Sequence, residues 1–183
     1  MAQLHNFSNR APCIGCHTNC CMDFVVYVNS HDIHRISTNL KVPPESFIQL
    51  YQPEDEDSAV RVEDGLYDLA LKDDKGTCNF LKREAGQFRC SIQPFKPGIC
   101  RTYPFEVRRG RFVQIVKKVC PVDWRLPKNL EMQMSSMYDE HDKEWDFYLN
   151  LIEEWNEGKK DRSLSSFTNF ANSRVEISLQ NSA

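Results

Sequence analysis

The longest regular pattern in the chain lies between residues 129 and 157. There Met134, Tyr138, His141, Trp145, Tyr148, Ile152 and Trp155 recur at alternating spacings of four and three. That is the period of a helix laying one wide apolar stripe on a core. Gly158 fits its C-cap. After a polar stretch, Ser163 predicts the cap of a last short helix through Phe167 and Phe170, and the final ten residues carry no organising pattern. Towards the other end, residues 24–28 form a β-branched and aromatic run of strand length. Ser30 predicts the cap of a short helix over 31–40, with Ile33, Ile36 and Leu40 at helical spacing and Pro43-Pro44 as its stop. A second short helix is predicted over 44–51, with Pro44 in its first turn.

From 65 to 120 the pattern turns to strands. Residues 66–71 predict one strand, ended by Asp73-Asp74-Lys75-Gly76. Residues 77–81 and 87–91 predict a hairpin around Ala85-Gly86, which would bring Cys78 and Cys90 close across two strands. A second hairpin is predicted from 105–108 and 111–119, turning at Arg109-Gly110. Its stretch 112–116 is apolar on both faces, as in a central strand. The acidic run 52–64 reads as a solvated loop, since its carboxylates lack the regular alternation of a calcium loop.

Composition adds limits. Of 183 residues, 40% are hydrophobic and 11% aromatic, enough to build a core. The net charge is −3, so no global field favours nucleic acid or an anionic membrane. No apolar run approaches the ~20 residues of a membrane span. Residues 1–10 have no apolar h-region, so the expected address is the cytoplasm. The basic residues Arg108, Arg109, Arg111, Lys117 and Lys118 read as charged hairpin edges rather than a nucleic-acid face.

Chemistry concentrates in cysteine. Cys13, Cys16, Cys20 and Cys21 form a CxxCxxxCC cluster in a loop over residues 1–22, and Cys78, Cys90, Cys100 and Cys120 follow. A Cys-x-x-Cys turn can place two sulfurs on one tetrahedral ion, which suits Cys13 and Cys16. Cys20 and Cys21 are adjacent, and neighbouring side chains diverge. They therefore serve two ions, or one of them bridges. Eight thiolates would fill two four-coordinate sites or one polynuclear cluster. Thiolate softness suits zinc and iron–sulfur alike. A disulfide-stapled interaction domain is the alternative, although cysteine at about 4% is well below the roughly 8–10% of disulfide scaffolds. His17 reads as a loop histidine, His141 as a satisfied core histidine, and His31 and His34 as surface residues.

The cluster resembles the signature of the CxxCxxxCC cysteine-cluster family, described as zinc- or iron-chelating and including proteins like flagellin lysine N-methylase. Gly76-Thr-Cys78-Asn-Phe80-Leu81, Cys90-Ser-Ile92 with Pro97-Gly-Ile-Cys100-Arg101-Thr-Tyr103-Pro104-Phe105, and Cys120-Pro121 are similar to its further elements. Gln93, Lys96 and Val122 depart from it and spare all eight cysteines. The resemblance implies Cys13, Cys16, Cys20, Cys21, Cys78, Cys90, Cys100 and Cys120 as metal ligands. Arg101 and Tyr103 are candidates for contacts behind the thiolates.

The expected fold is α+β: a small metal-stapled domain of β-hairpins and short helices over 1–126, a helical extension over 127–175 packed on it, and a disordered tail over 176–183. The expected function is metal binding, with zinc, iron or an iron–sulfur cluster as cofactor and metal ions as partners. Through the resemblance, an iron-dependent protein-lysine N-methyltransferase using S-adenosylmethionine is the alternative, so enzymatic activity stays open. No protein partner is identifiable from the residues.

Overall fold

The computed structural model describes residues 20–53, 55–115, 126, 128–158 and 161–181. It divides into two compact units. One joins Met1–Val26 to Asp73–His141, and the other joins Tyr27–Lys72 to Asp142–Ala183. The fold class is α+β, as the pattern indicated.

In the second unit, helix α1 (Ser30–Leu40) begins at the residue expected to cap it, and its cap lies one residue earlier. Asn29 is the N-cap: its Oδ1 accepts from the Asp32 N–H at 2.9 Å, and Asp32 Oδ2 accepts from the Asn29 N–H at 3.5 Å. This reciprocal box satisfies two donors that the first turn leaves open. Ile33 and Ile36 are fully buried. The helix ends where Lys41 takes a left-handed conformation with φ 56°.

The helix expected over 44–51 does not form. Pro44–Ser46 makes a single 3-10 turn, and strand β1 (Ile48–Tyr51) follows. Strands β2 (Val60–Val62) and β3 (Gly65–Leu71) complete an antiparallel sheet with β3 in the middle. Ile48 sits opposite Leu71, Tyr51 opposite Asp68, and Val60 opposite Tyr67. Pairing with β3 overrides the local helical spacing of residues 44–51. β2 lies inside the run read as a solvated loop: Val60 and Val62 are fully buried with exposed Arg61 between them. The strand expected over 24–28 reduces to one bridge, Tyr27 with Ala70, and a bond from Val28 N–H to Leu69 O at 2.9 Å.

Helix α3 (Lys128–Glu157) covers the expected span, and Met134, Tyr148, Ile152 and Trp155 of its stripe are buried. Asn156 acts as a partner to the β2 edge: its Oδ1 accepts from the Arg61 N–H at 2.8 Å and its Nδ2 donates to Ala59 O at 2.9 Å. The buried Trp155 indole N–H donates to Arg61 O at 2.8 Å. Arg162 donates to the carbonyls of Trp155, Asn156 and Gly158, satisfying acceptors left open at the end of α3.

Helix α4 (Leu164–Asn181) follows Ser163, whose Oγ accepts from the Ser166 N–H at 3.1 Å. It is longer than expected and remains helical through Asn181, because Phe167, Ala171 and Val175 bury one face at intervals of four.

The first unit contains three antiparallel hairpins in succession. They are β4 (Asp73–Asp74) with β5 (Thr77–Cys78), β6 (Leu81–Glu84) with β7 (Gln87–Cys90), and β8 (Phe105–Arg108) with β9 (Arg111–Gln114). Each turns through two left-handed residues, the second a glycine: Lys75-Gly76, Ala85-Gly86 and Arg109-Gly110. That backbone matches the twist of the flanking strands. β9 is one of two strands rather than a central strand; the expected continuation over 116–119, with Lys117 and Lys118, lies outside the described residues. Short helix α2 (Gly98–Thr102) precedes β8. Phe105 and Met134 form a buried core with Phe112, Leu126 and Tyr138 packed around it.

Candidate metal centre

Four cysteine side chains lie in the described part of the first unit. Cys21 sits in a 3-10 turn, Cys20–Met22, that packs against β5. Cys78 ends β5 and is buried, Cys90 ends β7 and is half-buried, and Cys100 is half-buried in α2. All four are thiols rather than disulfides. Cys13, Cys16 and Cys120, together with His17 and the side chain of Cys20, lie outside the described residues.

The hairpin register differs from the expected one. The run 77–81 breaks after Cys78, so Cys78 pairs with Asp73 and Cys90 with Leu81. The two sulfurs are still brought into one neighbourhood. Burial pushes both thiols above their ordinary pKa, and the charge of Cys21 raises both further, as Cys78 does for Cys90. Backbone N–H groups oppose this: Phe80 and Leu81 donate to the Cys78 sulfur and Ile92 to that of Cys90. Lys96 adds a favourable positive charge to Cys90.

This environment fits a soft cation. Buried, mutually repelling thiols hold their protons when no cation is present, and a bound divalent ion displaces those protons. Amide donors then stabilise the thiolates. Among the described residues, no three His, Cys, Asp or Glu side chains are grouped closely enough to enclose an ion alone.

Arg101 turns to α3, with Nη1 donating to Glu140 at 3.3 Å. Tyr103 packs edge-on against Phe24, ring centroids 5.7 Å apart. Both therefore have partners other than the thiolates named above. In the second unit, His31 is half-buried against Phe147 rather than a surface residue, with ring centroids 4.9 Å apart.

Two constellations escaped the sequence. The first is ionic. Arg35 meets Asp32 at 2.5 Å and Glu144 at 2.8 Å, both carboxylates being nearly inaccessible to solvent. Its only sequence signal was Glu144 placed within a turn of the apolar stripe. The second joins Gly98 to His141: a Cβ on Gly98 would stand 2.3 Å from His141 Nδ1.

Among the described residues, no helix is long and apolar enough to cross a membrane. Residues 12–121 match the family CxxCxxCC, described as "Putative zinc- or iron-chelating domain". The chain has three residues, His17-Thr18-Asn19, between its second and third cysteines, where the family name has two. Searches of curated proteins and of solved structures give no significant match.

Proposed function

The chain belongs to the CxxCxxCC family of zinc- or iron-chelating domains, and on that premise we propose that Cys13, Cys16, Cys20, Cys21, Cys78, Cys90, Cys100 and Cys120 together bind zinc or iron. The observation carrying this reading is the shared neighbourhood of Cys21, Cys78 and Cys90, which come from three separate chain segments, with amide donors aimed at two of the sulfurs. Charge supports it as well. The first unit carries fourteen Lys and Arg against nine Asp and Glu, while the second carries nine against seventeen. Eight thiolates around two divalent ions leave a cluster of charge about −4. A surplus of basic side chains in the same unit stabilises such a charge.

The bound ion would tie the N-terminal cysteine loop to the hairpins and supply folding free energy. The chain's own residues provide the thiolates, the amide donors of Phe80, Leu81 and Ile92, and the positive charge of Lys96.

The test is elemental analysis and absorption spectroscopy on full-length protein purified anaerobically. The expected result is about two metal equivalents per chain, as two four-thiolate sites require. Colourless protein with zinc identifies structural sites. A brown chromophore that bleaches in air, with iron and acid-labile sulfide, identifies an iron–sulfur cluster. Protein with no metal and no titratable thiols overturns the proposal in favour of a disulfide-stapled domain.

A further inference from the structure

We propose that His141 is a positioning residue for the metal centre, holding the helix that carries Cys100 although it lies beyond the matched segment 12–121. The inference rests on the metal-binding reading and assigns it a part of the chain that the family does not cover.

The argument begins at Gly98. A Cβ there would lie 2.3 Å from His141 Nδ1 and 3.1 Å from both Cγ and Cε1. The imidazole therefore occupies the space above the Gly98 Cα, and any other residue must displace it. One turn on, Arg101 meets Glu140, the neighbour of His141. Thr102, on the same side of α2, is buried, with Oγ1 3.3 Å from Gly98 O. Gly98, Arg101 and Thr102 share one face at i, i+3 and i+4. Cys100 lies about 200° around the helix from Gly98, at roughly 100° per residue. α3 thus packs on one side of α2, and Cys100 lies on the opposite side of that helix.

A second anchor lies just downstream. Tyr138, one turn before His141, donates its hydroxyl to Phe105 O, and Met134 packs on the Phe105 ring. Met134, Tyr138 and His141 belong to one stripe of α3. They hold segment 98–105 at both ends, with Cys100 between the two anchors. A ligand held this way loses less freedom when it binds metal, and groups behind metal ligands typically govern affinity by about 10–100-fold. A histidine that only fills space in the core would not be linked to metal.

The test perturbs each of the two residues in the full-length chain. Zinc affinity is measured by competition with a chromophoric chelator, and site geometry from the thiolate-to-metal and d–d bands of the cobalt(II) form. Gly98→Ala is expected to weaken zinc binding by about tenfold or more and to alter the cobalt bands. His141→Ala, which removes the imidazole that backs Gly98, is expected to weaken zinc binding to a similar degree, and wild-type affinity in this variant overturns the inference as well. Hydrogen exchange on the wild type gives an independent reading, with metal slowing exchange of amides in 134–141. Gly98→Ala with wild-type affinity and cobalt bands overturns the inference. So does metal binding that leaves exchange in 134–141 unchanged, a result that stands even where Gly98→Ala fails to fold. A wild-type chain that binds no metal defeats the underlying reading instead.

Discussion

Replacing Arg35 with alanine is expected to remove the positive charge that faces two buried carboxylates in the second unit. Asp32 is fully buried, the Glu144 side chain is 7% exposed, and Arg35 itself is 23% exposed. Arg35 reaches Asp32 at 2.5 Å and both Glu144 oxygens, at 2.8 and 3.3 Å. At an effective dielectric near 20, one such contact at 2.8 Å is a gross attraction of roughly 6 kcal/mol. Desolvation cancels much of that in the intact protein, so the arrangement itself adds little net stability. Breaking it is different, because the desolvation cost remains and the compensation goes. Loss of one partner from a buried pair costs about 3–5 kcal/mol, and the partial exposure of Arg35 puts this case near 3. Urea unfolding, followed by the fluorescence of Trp145 and Trp155 in the same unit, measures the change. The double variant Arg35→Ala/Glu144→Ala should be no less stable than Arg35→Ala, since it removes one of the two buried negative charges. The penalty should also shrink on acidification, as protonation neutralises the carboxylates. An Arg35→Ala cost below about 1 kcal/mol, the range of exposed pairs, would refute the reasoning.

His31 supplies a pH dependence. Burial against Phe147 holds its pKa below 6.5, outweighing the opposing charge of Glu144. The unfolded chain therefore takes up a proton that the folded one resists, and stability present above pH about 6.5 declines as pH falls towards the folded value. His31→Gln should flatten that slope in unfolding experiments at a series of pH values, and an unchanged slope counts against the assignment. Verified removal of metal should abolish much of the far-UV circular dichroism and melting transition of the first unit, since structural zinc contributes on the order of 10–16 kcal/mol in zinc-finger peptides; unchanged traces would sink that expectation. Arg109 occupies a left-handed turn position at φ 51°, so Arg109→Asn should raise the melting temperature by roughly 1–2 °C, and a lowered value would show that the arginine makes a compensating contact.

What the sequence revealed and what it concealed separate by the range of the interactions involved. The turns at Lys75-Gly76, Ala85-Gly86 and Arg109-Gly110 were legible because glycine tolerates left-handed backbone whatever surrounds it. α3 was legible because its stripe, from Met134 to Trp155, persists through most of a thirty-residue helix. Residues 44–51 were not. Eight residues with Pro44 in front satisfy helical spacing as well as strand alternation, and β3 decides between them from a distance. The cap at Asn29 had a local signal, Asp32 three residues later, but Ser30 presents a capping side chain too. The extent of α4 was hidden because Ala171, small and weakly hydrophobic, carries part of its buried face.

The same division runs through the site. Cysteine spacing identifies thiolates as the donor type, but which sulfurs meet depends on register. Cys78 and Cys90 become neighbours although neither pairs with the other's strand, because the break after Cys78 carries the chain from one hairpin into the next. Net charge shows the point most sharply. A whole-chain value of −3 conceals a first unit in which basic residues exceed acidic ones by five. That excess became visible only when the fold gathered Met1–Val26 and Asp73–His141 into one body. Fields act over about 8 Å at physiological ionic strength, so the charge that bears on a thiolate is local, as that of Lys96 is on Cys90.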